Sequence, residues 1–210
     1  YTGVNGGMVL VVADDNGCHS SQNEQDTRYY ARSAGVPCLE PASAPECKDF
    51  MKLAYELSEQ YDEPVIIRSN TRISHSRGIV ELLPRQEAAL RPYEKNIQKY
   101  IPMPAMAKKL HVENEKRMNA LEEAANTLKI NRVEMNSKKI GVIAAGICYQ
   151  YAKEALPEAS FLKLGLVNPL PKKLIADFAA QVDELYVIEE GQPIFEEQIN
   201  AMGIETKGKA

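Results

Sequence analysis

Blocks of apolar residues alternate with polar stretches along the first third of the chain and predict strands and helices in turn. Residues 8–13 (MVLVVA) and 64–68 (PVIIR) are largely apolar runs, typical of strands buried on both faces of a parallel sheet. Residues 44–61 place apolar side chains at helical spacing, which predicts an amphipathic helix. A helix over residues 23–33 and a short strand over 36–39 complete the order. This alternation indicates an α/β domain with a parallel sheet.

The middle of the chain has a different pattern. Four prolines between residues 84 and 104 exclude a long helix there. Residues 105–128 carry a single apolar stripe on an otherwise charged helix, as expected of a connector that lies on another surface. We therefore predict an interdomain linker over residues 84–136.

The last third repeats the alternation of strand and helix and predicts a second α/β domain over residues 137–210, after a first domain over residues 1–83. The predicted strands are residues 139–145, 161–164 and 185–189, and the predicted helices are residues 147–156, 172–181 and 194–202.

Composition narrows the class of protein. The chain has 210 residues, 44% of them hydrophobic, and a formal net charge of −4. This charge gives no basic face for nucleic acid, and no apolar run approaches the ~20 residues that span a bilayer. The N-terminus also lacks the basic and apolar regions of a signal peptide. We therefore expect a cytoplasmic chain that binds neither nucleic acid nor a membrane.

The four cysteines do not have the spacing of a metal or cluster site. Cys18, Cys38, Cys47 and Cys148 form no C-x-x-C pair. We expect reduced thiols, with no structural zinc and no iron–sulfur cluster bound by this chain alone.

Polar loops follow the two strands predicted for residues 8–13 and 64–68. Because the carboxyl ends of parallel strands meet at one edge of a sheet, the loops 14–24 and 69–78 are expected to lie together where ligands bind. The side chains gathered there are His19, Ser20, Ser21, Gln22, Asn23, Glu24, Arg72, Ser74, His75, Ser76 and Arg77.

The same loops also have a structural interpretation. Ser20, Ser21 and Asn23 are residue types that cap a following helix, the histidines can be structural, and the arginines can be surface cations. The sequence contains no G-x-S-x-G elbow, Walker A loop or metal triad. It therefore assigns no catalytic residue and no metal ligand.

Several long motifs carry a resemblance to a known family. YTGVNGGMVLVVADDNGCHSSQNEQDTR and SNTRISHSRG resemble the large (alpha) subunit of indolepyruvate ferredoxin oxidoreductases, as do YEKNIQKYIPMPAMAKK, LKLGLVNPLPKK and VIEEGQPIFEEQI. The departures are modest: Asn16 replaces the usual proline, Cys18 replaces the usual methionine, and the others are Ser69, Asn70 and Gly191. At Cys18 a small thiol stands where the larger thioether of methionine is usual, so the resemblance does not determine how this loop packs.

The resemblance implies a thiamine-diphosphate enzyme that oxidatively decarboxylates aryl pyruvates to acyl-CoA and reduces ferredoxin. Residues 1–83 would be the later part of a pyrimidine-binding domain, and residues 137–210 a transketolase C-terminal-like domain. In this family the cofactor glutamate lies upstream. The diphosphate and Mg²⁺ motif and the [4Fe-4S] cysteines lie downstream. We therefore expect a central fragment that is inactive alone. Its expected partners are the beta (gamma-type) subunit, ferredoxin and a second alpha subunit.

Within the implied enzyme, Arg72 and His75, with the hydroxyls of Ser74 and Ser76, are expected to line the substrate side of the cavity. A guanidinium suits a substrate carboxylate because its geometry is bidentate. The loop of residues 19–24 would complete the cavity or a dimer contact. The alternative is a noncatalytic α/β module for interaction and assembly, with the polar loops as an interface. A nucleotide-binding protein is the weaker alternative, since no phosphate loop is present.

Overall fold

Two four-stranded sheets form the frame of the protein in a computed structural model, which describes residues 1–85, 87, 89–90 and 92–209. The strands are β1 (Val9–Asp14), β2 (Cys38–Leu39), β3 (Val65–Asn70), β4 (Arg132–Glu134), β5 (Ser137–Ala145), β6 (Ala159–Leu164), β7 (Leu166–Asn168) and β8 (Glu184–Ile188). The helices are α1 (Thr27–Ala34), α2 (Ala44–Tyr61), α3 (Thr71–Ser74), α4 (Ile97–Tyr100), α5 (Pro104–Ala125), α6 (Gly146–Ala155), α7 (Lys172–Ala179) and α8 (Ile194–Asn200). The strand orders are β1-β3-β2-β7 and β4-β6-β5-β8.

The first sheet places the carboxyl ends of two parallel strands side by side. β1 pairs in parallel with β3, with Asp14 opposite Asn70, and β3 pairs in parallel with β2. β7 closes the far edge of the sheet, antiparallel to β2. The parallel sheet predicted from residues 8–13 and 64–68 is confirmed, so the loops after β1 and β3 leave from the same edge.

β1 lies at the edge of this sheet, which corrects one expectation. Residues 8–13 were predicted to be buried on both faces, yet Leu10 and Val11 are each 56% exposed. Among the described residues no strand pairs with the outer edge of β1. β3 has a similar apolar pattern but lies inside the sheet, and Val65 and Ile67 are buried there. Position in the sheet, which composition does not encode, decides the burial.

The second sheet follows the predicted order closely. β5 lies between β6 and β8 and is parallel to both, while β4 pairs antiparallel to β6. Ile143, Leu162 and Val187 form a buried core with Phe178 of α7 and Phe195 of α8. Every strand and helix predicted for the last third is present, with bounds that differ by at most two residues.

α2 has the bounds that the sequence predicts, because local and tertiary signals agree. The Ser43 side chain accepts a hydrogen bond from the Glu46 amide at 3.4 Å, and the Glu46 carboxylate accepts one from the Ala42 amide at 2.8 Å. The apolar face of α2 packs against α5, where Phe50 and Leu121 join one buried cluster. α5 ends three residues before the predicted end at 128.

The remaining differences concern short elements and element ends. The helix predicted over residues 23–33 begins at Thr27, and the strand predicted over 36–39 has only two residues. β4 lies within the predicted linker, and β7 was not predicted. Both strands are three residues long and pair with distant parts of the chain, so local periodicity does not reveal them. None of the helices in the described ranges is long and apolar enough to cross a membrane.

Candidate functional site

A surface pocket of about 250 Å³ opens where the loops after β1 and β3 meet. Its lining residues are His19 from the first loop and Thr71, Arg72 and His75 from the second. The parallel pairing of β1 with β3 brings the two loops together. The predicted proximity of His19, Arg72 and His75 therefore follows from the strand arrangement, and Thr71 is an addition that the sequence did not single out.

The short helix α3 presents two of these side chains to solvent. The Asn70 Oδ1 atom accepts a hydrogen bond from the Ile73 amide at 2.9 Å and caps the helix, and Ile73 anchors it in the core. Arg72 and His75 project on the opposite, exposed side. Within the described part of the chain, no carboxylate pairs with the Arg72 guanidinium. Its charge is therefore available to a ligand.

Asp15 joins the two loops. Its carboxylate accepts hydrogen bonds from the His19, Ser20 and Ser21 amides at 3.1, 2.6 and 2.5 Å, and from the Thr71 hydroxyl at 2.6 Å. The Thr71 hydroxyl and then the Ser20 amide hold the pKa of Asp15 far below its usual range. Asp15 is thus ionised and fixes His19 and Thr71 on the pocket rim. Sequence reasoning missed it; the signal was a second aspartate after the strand.

The capping interpretation of the serines and Asn23 is wrong. α1 begins at Thr27, and its N-cap is Asp26, whose side chain accepts a hydrogen bond from the Arg28 amide at 3.1 Å. Asp14 at the end of β1 accepts the Thr27 amide at 2.7 Å. These contacts come from residues outside the predicted capping set. The side chains of the loop of residues 19–24 are therefore not used to cap α1.

The other predicted site residues lie around the pocket or in a second one. The hydroxyls of Ser69 and Ser74 are 2.9 Å apart, and the Ser76 hydroxyl donates to the Ile73 carbonyl at 2.7 Å. Neither Ser74 nor Ser76 lines the first pocket. These serines therefore brace the turn after β3.

A second pocket of about 300 Å³ lies beside the first loop. Asn23 and Glu24 line it together with Tyr29, Tyr30 and Gly191. The Glu24 carboxylate accepts a hydrogen bond from the Gly17 amide at 2.8 Å and closes the loop on itself. Ser20, Ser21 and Gln22 are exposed but line neither pocket. The predicted site residues are thus divided, with only His19, Arg72 and His75 brought to the first pocket.

A layer of buried charge lies beneath the first pocket. Arg68 is 1% exposed, and its guanidinium lies 2.6 Å from Asp14, 2.8 Å from Glu40 and 2.8 Å from the Asn16 side-chain oxygen. Sequence reasoning assigned none of these contacts. The partners come from the ends of separate strands, and their pairing depends on the sheet.

Arg28 connects the edges of the two sheets. Its guanidinium lies 2.5 Å from Glu189 after β8 and 2.6 Å from Asp26, and it donates to the Glu190 carbonyl at 2.7 Å. The Glu189 carboxylate also accepts the Phe195 amide at 3.0 Å at the start of α8. Glu189 is thus both a cap for α8 and an ion-pair partner of Arg28. Burial raises its pKa, and Arg28 opposes this.

The described residues do not provide a metal centre. No group of three or more His, Cys, Asp or Glu side chains within them can hold a metal ion. The four cysteines are free thiols, and Cys38 and Cys148 are buried. The pocket offers one guanidinium, two imidazoles and one hydroxyl, which suit an anionic group of a substrate. It has no carboxylate, the ligand that Mg²⁺ prefers, so these residues do not fit a magnesium ion.

Comparison with known proteins identifies the class. Residues 10–139 match the model of the family described as pyruvate flavodoxin/ferredoxin oxidoreductase, thiamine diphosphate-binding. The chain belongs to this family.

The chain is also similar to individual proteins of one kind. It is 41% identical to the indolepyruvate oxidoreductase subunit IorA of Archaeoglobus fulgidus, covering 100% of the chain and 35% of that protein. It is 40% identical to the protein of the same name from Methanothermobacter marburgensis, covering 96% of the chain and 34% of that protein. The chain thus spans about a third of the length of these relatives.

Solved structures show the same fold. The chain superposes on a 2-oxoglutarate:ferredoxin oxidoreductase from Magnetococcus marinus, determined with 2-oxoglutarate, coenzyme A and succinyl-CoA bound. The TM-score is 0.67 at 16% identity, over 96% of the chain and 45% of that structure. A split-gene transketolase, an inactive beta4 tetramer, gives a TM-score of 0.55 at 14% identity, over 95% and 55%. The predicted thiamine-type α/β fold followed by a transketolase-like unit is confirmed.

Proposed function

We propose that this chain is the central part of a subunit that oxidatively decarboxylates aryl pyruvates such as indolepyruvate. Coenzyme A would be the co-substrate, and the products would be an acyl-CoA, carbon dioxide and electrons passed to ferredoxin. The family match and the names of the relatives support this reaction class. Within the assembled enzyme, the chain would form one wall of the substrate cavity, at the pocket of His19, Thr71, Arg72 and His75.

The unpaired cation at the carboxyl edge is the observation that carries this proposal. Arg72 and His75 face one pocket, and Arg72 has no carboxylate partner among the described residues. A 2-oxo acid brings a carboxylate, and a guanidinium binds a carboxylate through two parallel hydrogen bonds. Arg72 would hold that carboxylate, and His75 and Thr71 would offer further hydrogen bonds to the substrate.

The cofactors and partners belong to the assembled enzyme. Thiamine diphosphate would supply the decarboxylation chemistry when bound. Mg²⁺, the diphosphate and the [4Fe-4S] clusters would be held by other segments. The residues of this chain would orient the substrate and exclude water on one side. We propose the beta subunit, ferredoxin and a second copy of the subunit as partners, and no activity for residues 1–210 alone.

Replacing Arg72 by alanine in the assembled oxidoreductase tests the substrate site. We expect KM for the 2-oxo acid to rise about 10–100-fold, or about 1.4–2.8 kcal/mol, the contribution of a hydrogen bond to a charged group. The factor should be the same for indolepyruvate and for pyruvate, because both carry the carboxylate. Steady-state kinetics with both acids measure it.

Arg77 provides the matched control. It is an exposed arginine of the same loop and does not line the pocket. Arg77→Ala should leave KM within about twofold of the parent enzyme, as surface substitutions usually do. An unchanged KM in Arg72→Ala would remove Arg72 from the substrate site.

Assembly without catalysis is the second candidate function. Leu10 and Val11 on the unpaired edge of β1 favour it, since exposed apolar strand edges commonly bind another chain segment. The Arg72→Ala experiment separates the two roles. If the chain serves only for assembly, the assembled enzyme should keep its KM in that variant. If Arg72 lines the substrate cavity, KM should rise.

A further inference from the structure

We propose that Asn70 and Glu190 are positioning residues that hold α3, and with it Arg72 and His75, in the geometry that binds the substrate carboxylate. This role rests on the proposed function and extends it. The second sheet would then set the shape of a pocket that the first sheet carries.

Asn70 is bonded at both ends of its side-chain amide. The Oδ1 atom accepts from the Ile73 amide at 2.9 Å and caps α3, and the Nδ2 atom donates to the Glu190 Oε2 atom at 2.7 Å. Asn70 is 3% exposed. Water therefore has little access to replace either partner.

Glu190 selects the orientation of that amide. An ionised carboxylate only accepts hydrogen bonds, so Glu190 attracts the NH₂ group and turns the Asn70 oxygen toward the Ile73 N–H. A flipped amide would set its oxygen against the carboxylate and its NH₂ against the N–H group. Both hydrogen bonds would be lost, and α3 would lose its cap.

The position of Glu190, at the edge of the second sheet, is itself fixed by a contact with α1. It is the second residue after β8, and its carbonyl oxygen accepts from Arg28 at 2.7 Å. Its neighbour Glu189 pairs with the same guanidinium and caps α8. In addition, α6, which follows β5 of the second sheet, packs against α3 and β3. The contact between Glu190 and Asn70 thus couples the position of α3 to that of the second sheet.

α3 depends on this support because it has only four residues. A helix this short is not stable by itself, so its cap and its anchor Ile73 determine where it lies. Arg72 and His75 are both carried by this turn, and a shift of α3 moves them together. The substrate contact should therefore weaken while the chemistry of the cofactor is left intact.

An exchange of donor and acceptor tests the proposal in the assembled oxidoreductase. Asn70→Asp keeps an oxygen to cap α3 but places a second carboxylate against Glu190. We expect KM for the 2-oxo acid to rise about tenfold, or about 1.4 kcal/mol, with kcat within about threefold. Glu190→Gln keeps an acceptor for Asn70 and should change KM by less than about threefold.

The double variant Asn70→Asp, Glu190→Gln reverses the polarity of the bond and should return KM to within about threefold of the parent. Glu205→Gln, at an exposed carboxylate, is the matched control. An unchanged KM in Asn70→Asp, or no recovery in the double variant, overturns the positioning role. If Arg72→Ala raises KM in the same series, the proposed function survives that failure. If Arg72→Ala has no effect, both are overturned.

Discussion

Arg68 and Arg72 lie four positions apart on one segment and have opposite surroundings. Arg68, in the second half of β3, is 1% exposed and contacts Asp14, Glu40 and Asn16. Arg72, one turn later on α3, is exposed and lines a pocket with no carboxylate partner among the described residues. The carboxyl edge therefore has two layers, a buried one that joins strands and an exposed one that opens onto a pocket.

The difference shows how to separate structural charge from functional charge at such an edge. A buried cation with several carboxylate partners holds the edge together, and its removal exposes uncompensated charge. An exposed cation in a pocket without such a partner is available for recognition. The number of partners, rather than the residue type, distinguishes the two arginines.

Arg68→Met should have the largest effect on stability. It leaves Asp14 and Glu40 buried without their cation, so we expect the free energy of unfolding to fall by about 3–5 kcal/mol. Denaturant titration of the intact protein measures it. Arg72→Met, the matched substitution in the exposed layer, should change stability by less than about 0.5 kcal/mol. Equal losses in the two variants would contradict the division into layers.

Asp15→Asn should have an intermediate effect, confined to the pocket. An amide group would face backbone N–H donors that now bind a carboxylate, so His19 and Thr71 should move. We expect a rise of about tenfold in KM for the 2-oxo acid, comparable to the loss of one charge-assisted hydrogen bond. Kinetics in the assembled enzyme measure it, with Asp183→Asn, an exposed control residue on a distant loop, expected to match the parent.

The pH dependence gives a second check on Asp15. Its folded-state pKa is depressed, so its stabilising contribution is present above the unfolded value near 3.8 and is lost only as pH falls toward the folded value. The ratio of KM between variant and parent should therefore be constant from about pH 5 to pH 8. A ratio that changes across this interval would show that Asp15 titrates there.

Glu63→Gln should have the smallest effect, at a buried pair remote from the pocket. The Glu63 carboxylate lies 2.8 Å from Arg117 on α5, but burial outweighs this pairing and raises its pKa to about 7 from 4.5. The folded state then binds more protons, so stability falls as pH rises between those values. We expect the glutamine variant to be about 1 kcal/mol more stable than the parent at pH 8 and to lose this advantage by pH 5.

Thermal or denaturant unfolding at the two pH values measures this difference. Glu123→Gln, at an exposed carboxylate on α5, is the control. Parallel pH curves for Glu63→Gln and the parent would contradict the raised pKa. Such a result would also mean that Arg117 holds the Glu63 carboxylate ionised despite its burial.

The sequence predicts best where local and tertiary signals coincide. The bounds of α2 follow from its apolar face and its cap, and the proximity of His19 to Arg72 follows from parallel strands alone. The start of α1 was missed because Asp14 and Asp26, outside the predicted caps, hold it. The partners of Arg68 come from separate strands, so no local pattern reveals them.

The site was only partly predictable for a related reason. Asp15 acts through backbone amides, which every residue has, so residue type gives little indication of its role. Asn23 and Glu24 were grouped with the pocket because they share a loop with His19. The loop folds back through the Glu24 contact with Gly17 and turns them toward a different pocket.

The pairing of β7 with β2 has a consequence for how this protein can be recombined. Residues 166–168 supply an edge strand to a sheet whose other strands lie before residue 71. Cys38 and Leu39, which pair with this edge strand, are fully buried. A shuffled or split version that exchanges the second half for that of a distant relative would also exchange this strand. The residues of β2 and β7 must therefore be exchanged together. We expect folded protein from those recombined sequences in which residues 38–39 and residues 166–168 come from the same parent.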